Sequence, residues 1–462
     1  MSHKNAIIIF TDTWRRDHLG FYGNNRIKTP AADRLASESI IFEDVYPESL
    51  ATIQVRRAYF TGKRIYPWRD YEPWLRSKDF KSWCYGWQPL APDDVSITEI
   101  LRGHGFVSGL IADIPFYCQP AANFHRAFHS YEFIRGKEYD PIRIPEHAQR
   151  KTHTENYRGK GFDEDYFAPQ VFRSAMKWLE ENSWRERFYL HLELWDPHEF
   201  WYPPKIYSDI YNPGFDWENK EELIGLINPP GKLTNMSPSF PNLGYPEATG
   251  YTPRQIEQIR ALYAGMVTQT DFWMGVFLDY ARNLGVLDDT IVIFFSDHGT
   301  FLGERGVLRK PQYALYDELI RLPLTIRLPD QMFAGKRVEG FIYDHDLTVT
   351  LLELLGIEKP DYMEGTDAMP LVTGEKEGLH DYIICGYNDF VCVRDKRWHY
   401  IQADRRRVGY SPALDRLYDV NSDPDMEVNI IDENRLVVKR MEERIVKLWA
   451  EYGLEYKYPL DN

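Results

Sequence analysis

Short runs of β-branched and aromatic residues recur along the chain at positions 6–10 (AIIIF), 106–112 (FVSGLIA), 188–194 (FYLHLEL), 290–296 (TIVIFFS) and 322–328 (LPLTIRL). Longer stretches with helical periodicity lie between them. That alternation predicts an α/β protein whose large, mostly parallel sheet is sandwiched by helices. The clearest helix is predicted over 253–284, where Ile256, Ile259, Leu262, Met266, Val267 and Phe277 recur at turn spacing and Gly285 supplies a stop. Residues 212–252 are rich in Asn, Pro and Gly and read as an irregular insertion, either lying over a functional face or merely tolerated at the surface. Beyond 365–374 the pattern changes. YIICGY, DFVCVRD, WHYIQA and DRLYDV follow one another without helices between them, and a charged helix begins at Asn434. This predicts a catalytic α/β domain over 1–375 and a smaller carboxy-terminal unit over 376–462, an antiparallel sheet with a terminal helix.

With 462 residues and no repeat of fixed period, the chain reads as a globular protein with one active site. Its net charge of −15 argues against a nucleic-acid partner, which needs clustered Lys and Arg, and points to small substrates. The amino terminus carries only a short apolar run, too brief for a signal peptide, and no window approaches the roughly 18 apolar residues of a membrane span. A cytoplasmic location is expected, with no membrane partner; a homo-oligomer is left open. The four cysteines, Cys84, Cys118, Cys385 and Cys392, form no C-x-x-C and read as buried free thiols. Aromatic clusters around Trp68, Trp83 and Trp201 suit either core packing or cleft walls.

In α/β sheets ligands bind beyond the carboxyl ends of strands, so polar residues directly after apolar runs are the first candidates. Three places qualify: Thr11, Asp12 and Thr13; Asp297, His298 and Gly299; and Trp195, Asp196, Pro197 and His198. Asp12 with the Asp297–His298 pair offers two hard oxygens and an imidazole, a set suited to Mn, Zn or Fe and less typical of Ca. Taken singly, each residue also fits a helix cap or a carbonyl hydrogen bond. In LATIQVRRAYFTGKR, Thr52 precedes Arg56 by one helical turn if a helix starts near Thr52. A hydroxyl and a guanidinium on one face of a first turn can address the same anion, although a Thr cap with an exposed Arg fits the residues equally well.

The ordered set resembles the sulfatase family, within the alkaline phosphatase superfamily, over almost the whole chain. IIIFTDTWRRDHLGFYG is similar to that family's first strand and metal loop, and LATIQVRRAYFTGKRIYP to its Cys/Ser-x-Pro-x-Arg…Thr-Gly signature. MVTQTDFWMGVFLDYARNLGVLDDTIVIFFSDHGTFLGERG and KPQYALYDELIRLPLTIRLP match its later landmarks. The resemblance implies one divalent metal ion held by Asp12, Thr52, Asp297 and His298, with Thr52 also the nucleophile. It further implies that Arg56 binds the substrate anion, that His198 meets the leaving group and that Lys310 adds a second positive charge.

Three departures matter. Thr52 stands where the family carries the Cys or Ser that becomes formylglycine, so no formylglycine is expected. Thr13 replaces a frequent second Asp, and His298 replaces an Asn, as in phosphonate monoester hydrolases. No Lys or His occupies IADIPFYC, where a sulfate-gripping loop is expected. A threonyl adduct must be released by attack of water, which is ordinary at phosphorus and slow at sulfur. The expected function is therefore hydrolysis of phosphodiesters or phosphonate monoesters, small anionic ester substrates, through phosphothreonine. The alternatives are a sulfatase acting on a small or sugar sulfate, and a non-catalytic anion-binding protein.

Overall fold

The computed structural model describes residues 3–68, 84–118, 122–137, 140, 162–214, 251–403 and 415–455. These residues form fourteen strands: β1 (Asn5–Thr11), β2 (Ile40–Tyr46), β3 (Val107–Ala112), β4 (Ser130–Phe133), β5 (Phe188–Leu194), β6 (Thr290–Ser296), β7 (Phe301–Leu302), β8 (Leu308–Arg309), β9 (Leu322–Arg327), β10 (Arg337–Tyr343), β11 (Tyr382–Tyr387), β12 (Phe390–Asp395), β13 (Trp398–Ala403) and β14 (Arg416–Asp419). Eight of them make the main sheet, in the order β10-β2-β9-β6-β1-β5-β3-β4. Only β9 runs against its neighbours, β2 and β6; every other pairing is parallel.

Each of the five predicted runs is a strand, and β1, β5 and β6 are buried along their whole length. Successive side chains of β1 enter opposite cores, Ala6, Ile8 and Phe10 on one face and Ile7 and Ile9 on the other. That is why the run reads as continuously apolar. The three main-sheet strands missing from the sequence reading, β2, β4 and β10, carry polar or exposed positions. The sheet ends in β4 and β10, and β2 shifts register beside Glu43 and Asp44. Such strands lose the apolar signal that marks central ones.

The long helix spans Pro253–Asn283. Thr252 caps it by accepting the Gln255 N–H, and Gly285 follows in the left-handed region at φ 71°. The four carboxy-terminal pieces form an antiparallel sheet in the order β11-β12-β13-β14, followed by the helix Arg435–Glu451. Side chains of this sheet, Ile383, Cys385 and Tyr387 among them, join the core under the main sheet, and Gly386 bridges to Ser49. The irregular insertion of 212–252 falls largely outside the described residues, as does Trp83. Among the described residues, no helix is long and apolar enough to cross a membrane.

His399 of β13 is fully buried and its Nε2 donates to the Leu315 carbonyl at 2.8 Å, while Nδ1 has no partner among the described residues. A second proton has nowhere to go. Burial first, then the neighbouring Arg394, pushes its pKa down to about 3. Because the folded value is depressed, this contribution to stability is complete above the ordinary value of 6.5 and is lost as pH falls from there toward 3. Denaturant midpoints are expected to drop through that window. His399→Gln, which retains a donor for Leu315, should show a shallower decline; an unchanged slope contradicts the assignment.

Candidate active site

The central strands β6, β1 and β5 deliver their carboxyl ends side by side, and each is followed by candidate site side chains. After β1 the chain turns sharply. Thr13 sits at φ 64°, an unusual conformation for a β-branched residue, and this directs its N–H onto Asp297 Oδ1 at 3.0 Å. Its hydroxyl donates to Asp12 Oδ1 at 2.6 Å. Asp297 Oδ1 also accepts the His298 N–H at 2.7 Å. Gly299 follows where a Cβ would lie 2.0 Å from the Glu318 carbonyl, so the strand-to-loop exit requires glycine there.

Asp12, Asp297 and His298 are fully buried, and their ligand atoms lie within 4.8 Å of one another. Burial first, then the facing Asp297, raises the Asp12 pKa. His298 is pushed down to about 4, chiefly by burial, and stays neutral with Nδ1 against the Gly299 carbonyl and Nε2 facing the carboxylates. Two hard oxygens and a neutral imidazole nitrogen, shielded from water and joined by no third acid among the described residues, fit one divalent cation.

The helix predicted to start near Thr52 spans Thr52–Thr61 and is buried at all ten positions. Gln54 turns back to accept the Ala51 N–H at 2.8 Å, and Gly62 closes the helix at φ 65°. Thr52 therefore opens the helix, with its Oγ1 3.1 Å from Asp12 Oδ2 and 3.4 Å from His298 Nε2. One turn on, the Arg56 guanidinium pairs with Asp297, lies 3.7 Å from Asp12 Oδ2 and stacks over the Phe10 ring. Its other edge donates to Glu193 Oε2 at 3.1 and 3.2 Å. Glu193 continues inward to His191 at 2.9 Å, and that ring to the Tyr189 hydroxyl at 2.8 Å.

The loop after β5 brings His198 to the same place. Its ring stacks on Trp195 at 4.0 Å, so packing and a polar role coexist. Nδ1 contacts the Glu199 carbonyl, and Lys310 Nζ donates to Nε2 at 2.8 Å. Burial foremost pushes His198 down to about 3, so it is a neutral acceptor at physiological pH. Lys310 also donates to both Glu199 oxygens at 2.8 Å, and its carbonyl accepts from Tyr387 of β11. The smaller sheet thus helps to fix the lysine loop. All seven sequence-predicted residues, Asp12, Thr52, Arg56, His198, Asp297, His298 and Lys310, meet at one end of the sheet.

Sequence reasoning missed four participants. Lys137 is buried between Asp113 at 2.8 Å and Asp196 at 2.7 Å, tying β3 to the His198 loop. Glu193 and Glu199 accept from the two cations. Tyr117, from the IADIPFYC segment, lies under the Arg56 guanidinium with its ring centroid 5.4 Å away, and its buried hydroxyl has no partner among the described residues. Only Glu193, at the polar end of an apolar strand, carried a sequence signal.

A candidate cation site at the strand ends of this sheet, beside a helix-opening hydroxyl and an arginine, is the arrangement expected of an alkaline phosphatase-like hydrolase. Within that class this chain belongs to the sulfatase family, whose model matches residues 4–357. A second model, the carboxy-terminal region of N-sulphoglucosamine sulphohydrolase, matches 303–451. An arylsulfatase of Clostridium perfringens is 25% identical over 93% of this chain and 90% of its own length. An ulvan-active sulfatase of Formosa agariphila is 26% identical over 98% and 82%. The phosphonate monoester hydrolase of Agrobacterium radiobacter superposes with a TM-score of 0.73 at 22% identity, covering 97% of this chain and 96% of that one, and so shares the fold.

Adding Mn or Zn to metal-stripped protein is expected to raise the melting temperature by several degrees, because a ligand that binds only the folded state stabilises it. Asp297→Asn should abolish that rise and Thr52→Ala should largely keep it; a rise that survives Asp297→Asn removes the site. Tyr117→Phe removes an unpaired buried hydroxyl and should leave stability unchanged or raised, while raising KM by about 3- to 10-fold if that hydroxyl binds substrate. An unchanged KM contradicts that role.

Proposed function

We propose that this chain is a metal-dependent hydrolase that cleaves esters of tetrahedral oxyanions at the Thr52 hydroxyl, with sulfate esters of small or sugar alcohols as its first substrate class. The observation carrying the reading is Thr52 Oγ1, 3.1 Å from Asp12 and 3.4 Å from His298, with Arg56 one turn along the same buried helix. Asp12, Asp297, His298 and Thr52 would hold a divalent cation, Mn or Zn by donor type with Ca as the alternative, and it would supply positive charge that lowers the proton affinity of that hydroxyl. Thr52 loses its hydroxyl proton to solvent, Oγ1 attacks the central atom in line and the ester bond to the leaving oxygen breaks. Arg56 and Lys310 neutralise the peripheral oxygens. The Lys310–His198 pair, already joined by a hydrogen bond of 2.8 Å, delivers a proton to the leaving oxygen. Water then hydrolyses the unmodified-threonine adduct.

Support for sulfate comes from the family and from relatives named as sulfatases that span more than nine-tenths of this chain. That ranks sulfate ahead of the phosphorus esters favoured by side-chain chemistry alone. Phosphodiesters or phosphonate monoesters remain the second reading, and a specific observation favours them. Residue 52 is Thr, which cannot become the aldehyde hydrate that expels sulfate, and His298 resembles the phosphonate monoester hydrolase pattern.

The test is steady-state hydrolysis of matched p-nitrophenyl sulfate, phosphodiester, phosphonate and phosphate monoester by protein reconstituted with Mn, Zn or Ca. Sulfate is expected to lead by about tenfold or more, a difference near 1.4 kcal/mol in the transition state. Diester or phosphonate leading hands the function to the second reading. Binding of every ester without turnover in any metal leaves an anion-binding protein.

A further inference from the structure

Both cations that face the substrate anion arrive already paired with a buried glutamate. Arg56 donates through two nitrogens to Glu193, and Lys310 donates to both oxygens of Glu199. The glutamates are 2% and 8% exposed, so neither charge is dissipated into water. Burial alone disfavours the Glu199 carboxylate, but His198, Lys310 and Arg309 overcome it and hold the group well below the usual carboxylate range. Burial likewise opposes the Glu193 carboxylate, and Arg56 and His191 lower its pKa nonetheless. The carboxylates of Asp12, Asp297, Glu193 and Glu199 would thus offset Arg56, Lys310 and a divalent ion bound at the candidate site, with Arg309 adding one positive charge beside Glu199. What remains to greet a substrate is a site near neutrality.

We propose that Glu199 sets the charge specificity of this site: by neutralising Lys310 on the leaving-group side, it makes the pocket favour esters carrying one negative charge and reject dianionic phosphate monoesters. The inference rests on the function proposed above, because it assumes that the anion binds between Arg56 and Lys310. Sulfate esters, phosphodiesters and phosphonate monoesters are all monoanions near pH 8, whereas an aryl phosphate is a dianion, so Glu199 separates the family's two candidate classes together from a third. Specificity of this kind works by repulsion: an uncompensated second charge on the ligand meets a carboxylate that cannot move away or hydrate. Glu193 is the poorer lever, since removing it releases Arg56.

Holoenzyme and its Glu199→Gln, Glu199→Met and Glu199→Asp variants are compared in two ways. The first is the ratio of kcat/KM for p-nitrophenyl phosphate to that for a matched monoanionic ester at pH 8. The second is calorimetric affinity for phenylphosphonate, a dianion, against its monomethyl ester, a monoanion. Gln and Met are expected to raise both ratios by roughly tenfold to a hundredfold in favour of the dianion, the scale of one partly screened charge at close range. Asp should keep the ratios near those of the parent. Met retains the side chain's length should Gln not fold. Ratios unmoved in folded Gln or Met protein, or moved equally by Asp, overturn the inference. Affinity ratios that shift as expected in a protein without turnover uphold the inference and overturn the proposed hydrolysis instead.

Discussion

Two carboxylates without access to water, Asp12 and Asp297, face one another at the carboxyl edge of the sheet, and the surrounding structure is organised to let both remain charged. Their mutual repulsion adds to the cost of burial. Uncompensated, a buried ionised pair costs several kcal/mol per group, a large fraction of the stability of a typical domain. Arg56 supplies one countercharge, and a divalent cation at the candidate site would supply the rest. This explains why the helix carrying Thr52 and Arg56 is buried at every position: a guanidinium that must sit between fully enclosed acids cannot be placed from the surface.

The same constraint propagates outward through named contacts. Arg56 needs a partner on its far edge and finds Glu193, whose other oxygen is met by His191 and, beyond it, by the hydroxyls of Tyr189 and Tyr59. Lys310 is fixed by Glu199 and, through its carbonyl, by Tyr387 of the smaller sheet. The His198 loop is anchored from below by the buried Asp113–Lys137–Asp196 pairing. The candidate catalytic side chains therefore stand on buried ion pairs whose partners lie in distant parts of the chain. Breaking any one leaves a charge stranded in the interior.

Much of this was legible in the sequence, for a physical reason. Central strands buried on both faces read as unbroken apolar runs, and the polar residues that end them can only lie at the sheet edge, so Asp12, Asp297, His298 and His198 announced themselves. A helix opening at Thr52 was the condition under which Thr52 and Arg56 share one face, and the structure meets it. Lys137, Glu199 and Tyr117 did not show, because an isolated charged or aromatic residue in a loop is ordinarily a solvated one; only long-range packing makes these buried. Strands β2, β4 and β10 were invisible for the converse reason: edge and irregular strands tolerate the charged residues that central strands exclude. The substrate was read least well. Side-chain chemistry at Thr52 favoured phosphorus, while the family and its relatives favour sulfur, and those two kinds of argument weigh different things.

The central claim is that Thr52 carries the covalent bond to the transferred group. Acid quenching of a reaction with a slowly released aryl ester, followed by peptide mass spectrometry, tests it without reference to rates. The account predicts a sulfuryl or phosphoryl adduct on the peptide containing residues 52–56, fragmenting to Thr52 itself and absent from protein stripped of metal. Turnover with no adduct there, or an adduct mapped to another side chain, contradicts it.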